Sequence, residues 1–250
     1  VQDDTRVALI TGAGHGIGKA SAKLMAARGW TVAINDLKPE FVEEAVAEIT
    51  SAGGKAIPVV QNVGTREGVY AAVETVMKEA GQLDVMVNNA AWVRYQAIPD
   101  VAPETVERML QVGFNGVIWG IQAAAEVMDD SRGGAIVNVA SAAGFRSAPR
   151  SLVYSGIKAG VMGMTRAASA ELGARNIRVN AVAPSAVPTE GTQKHRNADL
   201  DAKRIAHTPL GRLGTVDDIA RAIVYLSAPE SDFVTGQVLL VDGGINTANL

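Results

Sequence analysis

Seven short apolar runs rich in β-branched residues recur along this chain, at Val7 to Thr11, Thr31 to Asn35, Ala56 to Val60, Leu83 to Asn88, Ala135 to Ser141, Ile177 to Ala183 and Val238 to Asp242. Between most of them lie stretches of helical periodicity: Gly16 to Arg28, Glu40 to Ala52, Arg66 to Glu79, Glu104 to Met128, Leu152 to Leu172 and Val216 to Leu226. Such alternation leaves few solutions, because parallel strands need long crossovers and right-handed helical crossovers cover both faces of a sheet. The expected fold is α/β, a doubly wound parallel sheet of about seven strands with helices on both faces. Strands buried on both sides should be almost continuously apolar, and Val7-Ala-Leu-Ile and Val85-Met-Val are.

At 250 residues and 48% hydrophobic content, the chain can bury one large core, so residues 1–250 are expected to form a single domain. A formal net charge of −3, with both signs scattered, offers no basic surface for nucleic acid or an anionic membrane. The absence of cysteine excludes a disulfide framework, a thiol nucleophile and a cysteine metal site. No apolar run approaches the ~20 residues that span a bilayer, and Val1 to Arg6 is too polar for a secretory signal. A cytoplasmic protein without metal is expected. The alternation lapses from Pro184 to Gly211, a polar stretch that includes Thr189, Glu190, Gln193, Lys194, His195, Arg196 and Asp201. It leaves the C-terminal end of a strand, where open α/β sheets bind ligands, so a substrate lid near 185–210 is expected. A short surface helix without a role is the plainer alternative.

The first strand runs into Thr11-Gly12-Ala13-Gly14-His15-Gly16-Ile17-Gly18, and an amphipathic helix follows. Glycines there let the backbone approach a phosphate, and free N–H groups at the helix start present partial positive charge. The spacing Gly-x-x-x-Gly-x-Gly carries weight only in this strand-to-helix setting, since glycines also simply end strands. Asp36 closes the second strand eighteen residues beyond Gly18. A carboxylate there can accept hydrogen bonds from the adenosine ribose hydroxyls and would repel a 2′-phosphate. NAD is therefore expected over NADP, with His15 and Lys38 as nearby bases that soften the preference. Asn62, at the end of the third strand, is either an adenine partner through its amide or an ordinary turn asparagine.

Tyr154 and Lys158 lie one helical turn apart, and Tyr154 follows Ser141 by thirteen residues. Carbonyl reduction needs a proton donor, and alcohol oxidation a base, beside the hydride carrier. A free tyrosine, with a pKa of about 10, is a poor base at neutral pH. Bringing it near neutrality requires roughly three units, or about 4 kcal/mol, which an ammonium on the same helix face and the positive nicotinamide of an oxidised cofactor could supply. Lys158 can also bond the nicotinamide ribose. Ser141, ending the fifth strand, can hold the substrate oxygen. Asn115, an odd residue for a helix interior and close to Gly113 and Gly116, can hold a water that extends a proton path from Lys158. Singly, these read better as a solvated helix pair, a strand-end serine and a helix kink. Together with the glycine turn they converge on Tyr154 as the acid/base.

These residues resemble the short-chain dehydrogenase/reductase family, and the resemblance covers nearly the whole chain. Thr11 to Gly18 looks like its cofactor motif, Asn88-Asn89-Ala90 like its structural motif, and Asn115, Ser141, Tyr154 and Lys158 like its catalytic tetrad. Pro184-Ser185-Ala186-Val187-Pro188-Thr189 is similar to the segment whose backbone and threonine hold the nicotinamide carboxamide. The resemblance implies a Rossmann-type sheet and a cofactor site drawn from Gly12, Gly14, His15, Gly16, Ile17, Gly18, Asp36, Asn62, Val63, Asn89, Tyr154, Lys158, Val187 and Thr189. Ala91 and Ser185 stand where the family commonly has glycine, and Asn62 replaces an aspartate. The first two put a side chain where glycine would allow positive φ. The resemblance also implies a homotetramer. Apolar residues on more than one face of Val153 to Leu172 agree with a helix packed on a second subunit, although burial within one chain would give the same pattern.

Three readings follow. The first is an NAD-dependent oxidoreductase acting on a secondary alcohol and its ketone, the second an NADPH-dependent 3-oxoacyl thioester reductase, which Asp36 opposes. A dinucleotide-binding protein without catalysis is the third. The substrate pocket is expected from Ala91 to Tyr95, Ala142 to Arg150 and Ala186 to Ile205. There Trp92, Tyr95 and Phe145 offer apolar area, and Arg94, Arg146, Arg150 and His195 could meet a carboxylate.

Overall fold

The computed structural model describes residues 5–191 and 197–248. Seven strands, β1 (Val7–Ile10), β2 (Thr31–Asp36), β3 (Lys55–Val60), β4 (Val85–Asn88), β5 (Gly134–Val139), β6 (Ile177–Pro184) and β7 (Val238–Val241), form one sheet in the order β3-β2-β1-β4-β5-β6-β7. Every pairing is parallel. The strand order reverses between β1 and β4, where Ile10 lies beside Val87, and this switch point is where open α/β sheets hold ligands.

The helices are α1 (Gly16–Ala27), α2 (Pro39–Ser51), α3 (Arg66–Ala80), α4 (Pro103–Leu110), α5 (Gly116–Val127), α6 (Leu152–Leu172), α7 (Ala198–Ala206) and α8 (Val216–Ser227). Strand residues alternate between the faces, so neighbours in β1 enter different cores. Ile10 packs with Ile34, Val87 and Val137 under Met25 of α1, Val42 and Ile49 of α2, and Ile219 and Ile223 of α8. Leu9 packs with Met86, Ile136 and Val179 under Val69, Val73 and Val76 of α3, Ala124 of α5 and Leu172 of α6. Local signals set the ends: Thr65 Oγ1 caps α3 by accepting from Gly68 N, and Thr215 and Asp218 form a reciprocal capping box on α8.

Two segments depart from the periodicity. The continuous helix expected over Glu104 to Met128 is broken into α4, a π turn at Gln111–Asn115, and α5. Close packing explains the break: a β-carbon on Gly116 would stand 2.7 Å from Val63 O, and Phe114 presses its ring against Gly160 of α6. π turns of this kind cluster at functional sites, and Asn115 is the last residue of this one. Within the polar stretch Pro184 to Gly211 the chain forms α7, a nine-residue helix capped by Asn197 and burying only Asp201. Gln193, Lys194, His195 and Arg196 lie outside the described residues. Among the described residues, no helix is long and apolar enough to cross a membrane, and no cluster of His, Asp and Glu could hold a metal ion.

A buried amide chain ties the sheet to α6. Asn88 Nδ2 donates to Asn138 Oδ1 at 2.9 Å, and Asn138 Nδ2 donates to Thr165 Oγ1 at 3.0 Å. Asn88 Oδ1 faces Gly120 of α5 so closely that a β-carbon there would collide with it. Gly120→Ala is therefore expected to cost about 2 kcal/mol or more, read as a lower urea midpoint at unchanged m-value. An unshifted midpoint would show that Asn88 can swing aside freely.

Candidate active site

The glycine turn is as tight as its residues permit. Gly12 has φ 61, and a β-carbon on it would lie 2.9 Å from Ala90 Cα; one on Gly18 would lie 2.5 Å from Gly12 O. The end of β4 clamps this turn. Asn89 Nδ2 donates to the carbonyls of Thr11 at 2.8 Å and Gly12 at 3.0 Å, while Thr11 Oγ1 accepts from Asn89 N and Ala90 N, both at 3.0 Å. Asn89, expected among the cofactor contacts, thus acts on the turn that would make them. The first amides of α1 have no intrahelical acceptor, and His15 offers no side-chain cap. Gly16 N donates instead to Glu190 Oε2 at 3.0 Å, and Thr189 sits over the same glycine.

Asp36 stands beside the turn. Its Oδ1 accepts from Leu37 N at 2.8 Å and Lys38 N at 3.3 Å, and its Oδ2 from Gly14 N at 3.3 Å. His15 and Lys38 are both drawn to Phe41, the imidazole 5.3 Å between ring centroids and the ammonium 4.8 Å from the ring centre. Asn62 shapes its own turn, with Oδ1 accepting from Gly64 N at 3.0 Å. Val63 is buried in the core beneath α3. Among the described residues only Arg150 and Asn176 combine a side chain with positive φ, so Ala91 and Ser185 occupy ordinary backbone and the glycine-to-side-chain exchanges there cause no strain. A narrow backbone cradle at a helix start, with a carboxylate at the neighbouring strand end, fits a dinucleotide's pyrophosphate and ribose.

Beyond β5 lies the cluster expected to carry the chemistry. Lys158 is buried and donates to Val139 O at 2.6 Å, its nitrogen 5.8 Å from the centre of the Tyr154 ring. Ser141 leaves β5 in extended backbone, its hydroxyl accepts from Ala143 N at 3.1 Å, and it lies close enough to the Tyr154 phenol to interact with it. Tyr95 packs edge-on against Tyr154 with ring centroids 5.7 Å apart. The Asn115 turn lies against the same helix through Gly113, which faces Ile157.

Burial and the neighbouring Tyr95 push the Tyr154 phenol up to about 12, opposed only by the nearby Ser141 hydroxyl. The lowering toward neutrality expected from Lys158 is not supplied by this geometry. The ammonium is held on the Val139 carbonyl, and burial alone brings its own pKa down to about 8. As the chain stands, Tyr154 is a firmly protonated donor.

Of the residues expected in the pocket, Tyr95 reaches the reacting tyrosine, Trp92 lies beneath the Arg108 guanidinium at 4.5 Å, and Phe145 is exposed. Burial pushes the Tyr95 phenol up, and Arg204 of α7, which no motif singled out, is close enough to offset part of that rise. The Val139 carbonyl and the Glu190 contact also escaped the sequence, because one is backbone and the other joins residues 174 apart. Asn138 had a visible signal, an amide inside an otherwise apolar strand.

A lysine whose pKa falls on folding binds fewer protons in the native state, so its cost is complete below pH 8 and fades as pH rises toward 10.5. Lys158→Met should therefore raise stability by on the order of 2 kcal/mol at pH 6 while abolishing turnover. The thermal-midpoint advantage should shrink between pH 8 and 10.5; an advantage independent of pH would exclude the buried charge as its source.

Residues 12–246 match a family model described as enoyl-(acyl carrier protein) reductase. The chain is 39% identical over 240 residues to the 3-oxoacyl-[acyl-carrier-protein] reductase FabG of Thermotoga maritima, covering 96% of this chain and 97% of that one. Among solved structures, a 7α-hydroxysteroid dehydrogenase complexed with NADH and 7-oxo glycochenodeoxycholic acid superposes with a TM-score of 0.93 at 31% identity, covering 96% of this chain and 94% of the other. A gluconate 5-dehydrogenase from Burkholderia cenocepacia, in complex with NADP and tartrate, gives 0.92 at 32% identity over 98% and 96% of the two chains. The chain belongs to the short-chain dehydrogenase/reductase family and is an NAD(P)-dependent oxidoreductase acting on CH–OH and keto groups.

Proposed function

We propose that this enzyme prefers NAD and interconverts a secondary alcohol and its ketone, with Tyr154 exchanging the proton. The observation that carries the reading is the meeting of Tyr154 with Ser141, beside the buried Lys158, at the end of β5. The residues of the Gly12 to Gly18 turn, Gly14, His15 and Ile17 included, would hold the pyrophosphate, Asp36 the adenosine ribose and the Asn62 amide the adenine. Val187 and Thr189 would hold the carboxamide, and Lys158 the second ribose. When bound, the dinucleotide supplies the hydride donor or acceptor.

Ser141 donates a hydrogen bond to the substrate oxygen and fixes it beside the phenol. In reduction Tyr154 gives its proton to that oxygen as negative charge develops there, a task suited to a group held protonated. In oxidation the phenolate takes the hydroxyl proton. That direction needs positive charge near the ring, which an oxidised nicotinamide would have to add, since Lys158 on the Val139 carbonyl does not lower the phenol by itself. Asn115, half-buried in its π turn, would hold the water that passes protons outward.

The NAD preference rests on Asp36, whose carboxylate a 2′-phosphate would have to approach, and on Lys38, whose ammonium is turned onto Phe41. The second reading, an NADPH-dependent 3-oxoacyl thioester reductase, is favoured by the Thermotoga relative and opposed by Asp36. A homotetramer is supported by Phe233, fully exposed near the half-exposed edge strand β7, and by exposed Ala159 and Ala167 on α6. Its test is the sedimentation mass.

Tyr154→Phe is expected to lower kcat by roughly 1000-fold with NADH affinity kept. Retained turnover would remove Tyr154 from the chemistry. Asp36→Asn should shift the kcat/KM ratio of NAD to NADP toward NADP by on the order of tenfold, because it removes a like charge from the phosphate's position. A panel of secondary alcohols, ketones and 3-oxoacyl thioesters, followed at the nicotinamide absorbance with both cofactors, separates the two readings.

A further inference from the structure

We infer that Glu190 is a built-in competitor for the cofactor's pyrophosphate, its carboxylate taking the first amide of the phosphate-binding helix and so setting how tightly a dinucleotide is held. The inference rests on the reading of the glycine turn as a dinucleotide site. Glu190 Oε2 accepts from Gly16 N at 3.0 Å across 174 residues of sequence, so the contact is tertiary and not a local cap. Thr189 lies directly over Gly16, its Cβ 3.5 Å from where a β-carbon on that glycine would stand. The crossing segment is pinned at its other end, where Ser185 N donates to Val241 O at 3.4 Å and Gly214 N donates to Ala186 O at 3.1 Å.

A carboxylate at this place meets the same demand as a phosphate, an anion against orphan N–H groups at the positive end of a helix. The two cannot share the Gly16 hydrogen. Lys19, the cation nearest the turn on α1, is held by Glu44 at 3.1 Å and Glu48 at 2.8 Å, which leaves the Glu190 charge to act on the incoming anion. A cleft of about 500 Å³ bordered by Gly16, Lys19 and Glu190 opens beside the contact and gives the side chain room to swing clear. Binding thus requires the carboxylate to leave its amide and remain as a like charge near the pyrophosphate.

The test is a fluorescence titration of NADH into the full chain and its Glu190→Gln and Glu190→Ala variants, with adenosine as a probe that lacks phosphate. Both variants should bind NADH roughly threefold to tenfold more tightly, with the gain of Glu190→Gln shrinking as salt rises. Adenosine affinity should stay constant, as should the thermal midpoint of variants altered at an exposed side chain. Unchanged or weaker NADH binding in both variants, or an equal gain for adenosine, overturns the inference. If the unaltered protein binds no dinucleotide at all, the reading of the site itself fails, a result distinct from the first.

Discussion

One side-chain amide holds the functional half of this structure in place. Asn89 donates to two successive carbonyls of the first strand-to-helix turn, and Thr11 accepts two amides in return, so four hydrogen bonds join β4 to the turn at the switch point of the sheet. A glycine-rich backbone is entropically costly to order and offers few side chains to pack, here Ala13 and Ile17. Hydrogen bonds to its carbonyls are the remaining means, while its amides meet acceptors of their own, Ala13 N on Asn35 O, Gly14 N on Asp36 and Gly16 N on Glu190. The neighbouring asparagine extends the same logic inward. Asn88, Asn138 and Thr165 link β4, β5 and α6, so the strand that clamps the cofactor turn is coupled to the helix that carries Tyr154 and Lys158.

The reacting cluster is built against stability. A buried ammonium with one carbonyl partner and a phenol pushed up by burial both raise the free energy of the charged forms that catalysis requires. The protein tolerates this because the surrounding sheet is apolar on both faces and the costly groups are confined to one end of it. Desolvation also makes any charge that forms there act strongly on its neighbours. The same burial that keeps Tyr154 protonated in the chain alone would magnify the effect of a positive ring placed beside it.

At the cofactor end the charges are arranged around a helix start instead of in a dry core. Asp36 accepts three backbone amides and joins the end of β2 to the turn, while His15 and Lys38 are both drawn to Phe41. These are the two bases expected to soften an NAD preference, and both lie against that ring. Glu190 brings a second carboxylate to the same region from the segment that follows β6. In the proposed reading, two acidic groups around one helix start would make dinucleotide affinity a balance of local charges.

Much was legible in the residues themselves. Periodicity placed all seven strands to within about two residues, since hydrophobic alternation and turn glycines are local signals. The glycine turn, Asp36, Ser141, Tyr154 and Lys158 were legible because each sits at a strand end or helix face whose position follows from the topology. The π turn at Asn115 was not, because it arises where Gly116 meets Val63 and Phe114 meets Gly160, contacts between distant segments. Nor could sequence show that Ala91 and Ser185 avoid positive φ, that Lys158 is held by a backbone carbonyl, or that Glu190 crosses to Gly16. The sequence by itself determined the order of strands and helices and the chemical groups available. Tertiary structure alone decided which charges face one another, because hydrogen bonds and desolvation depend on distances that no local pattern contains.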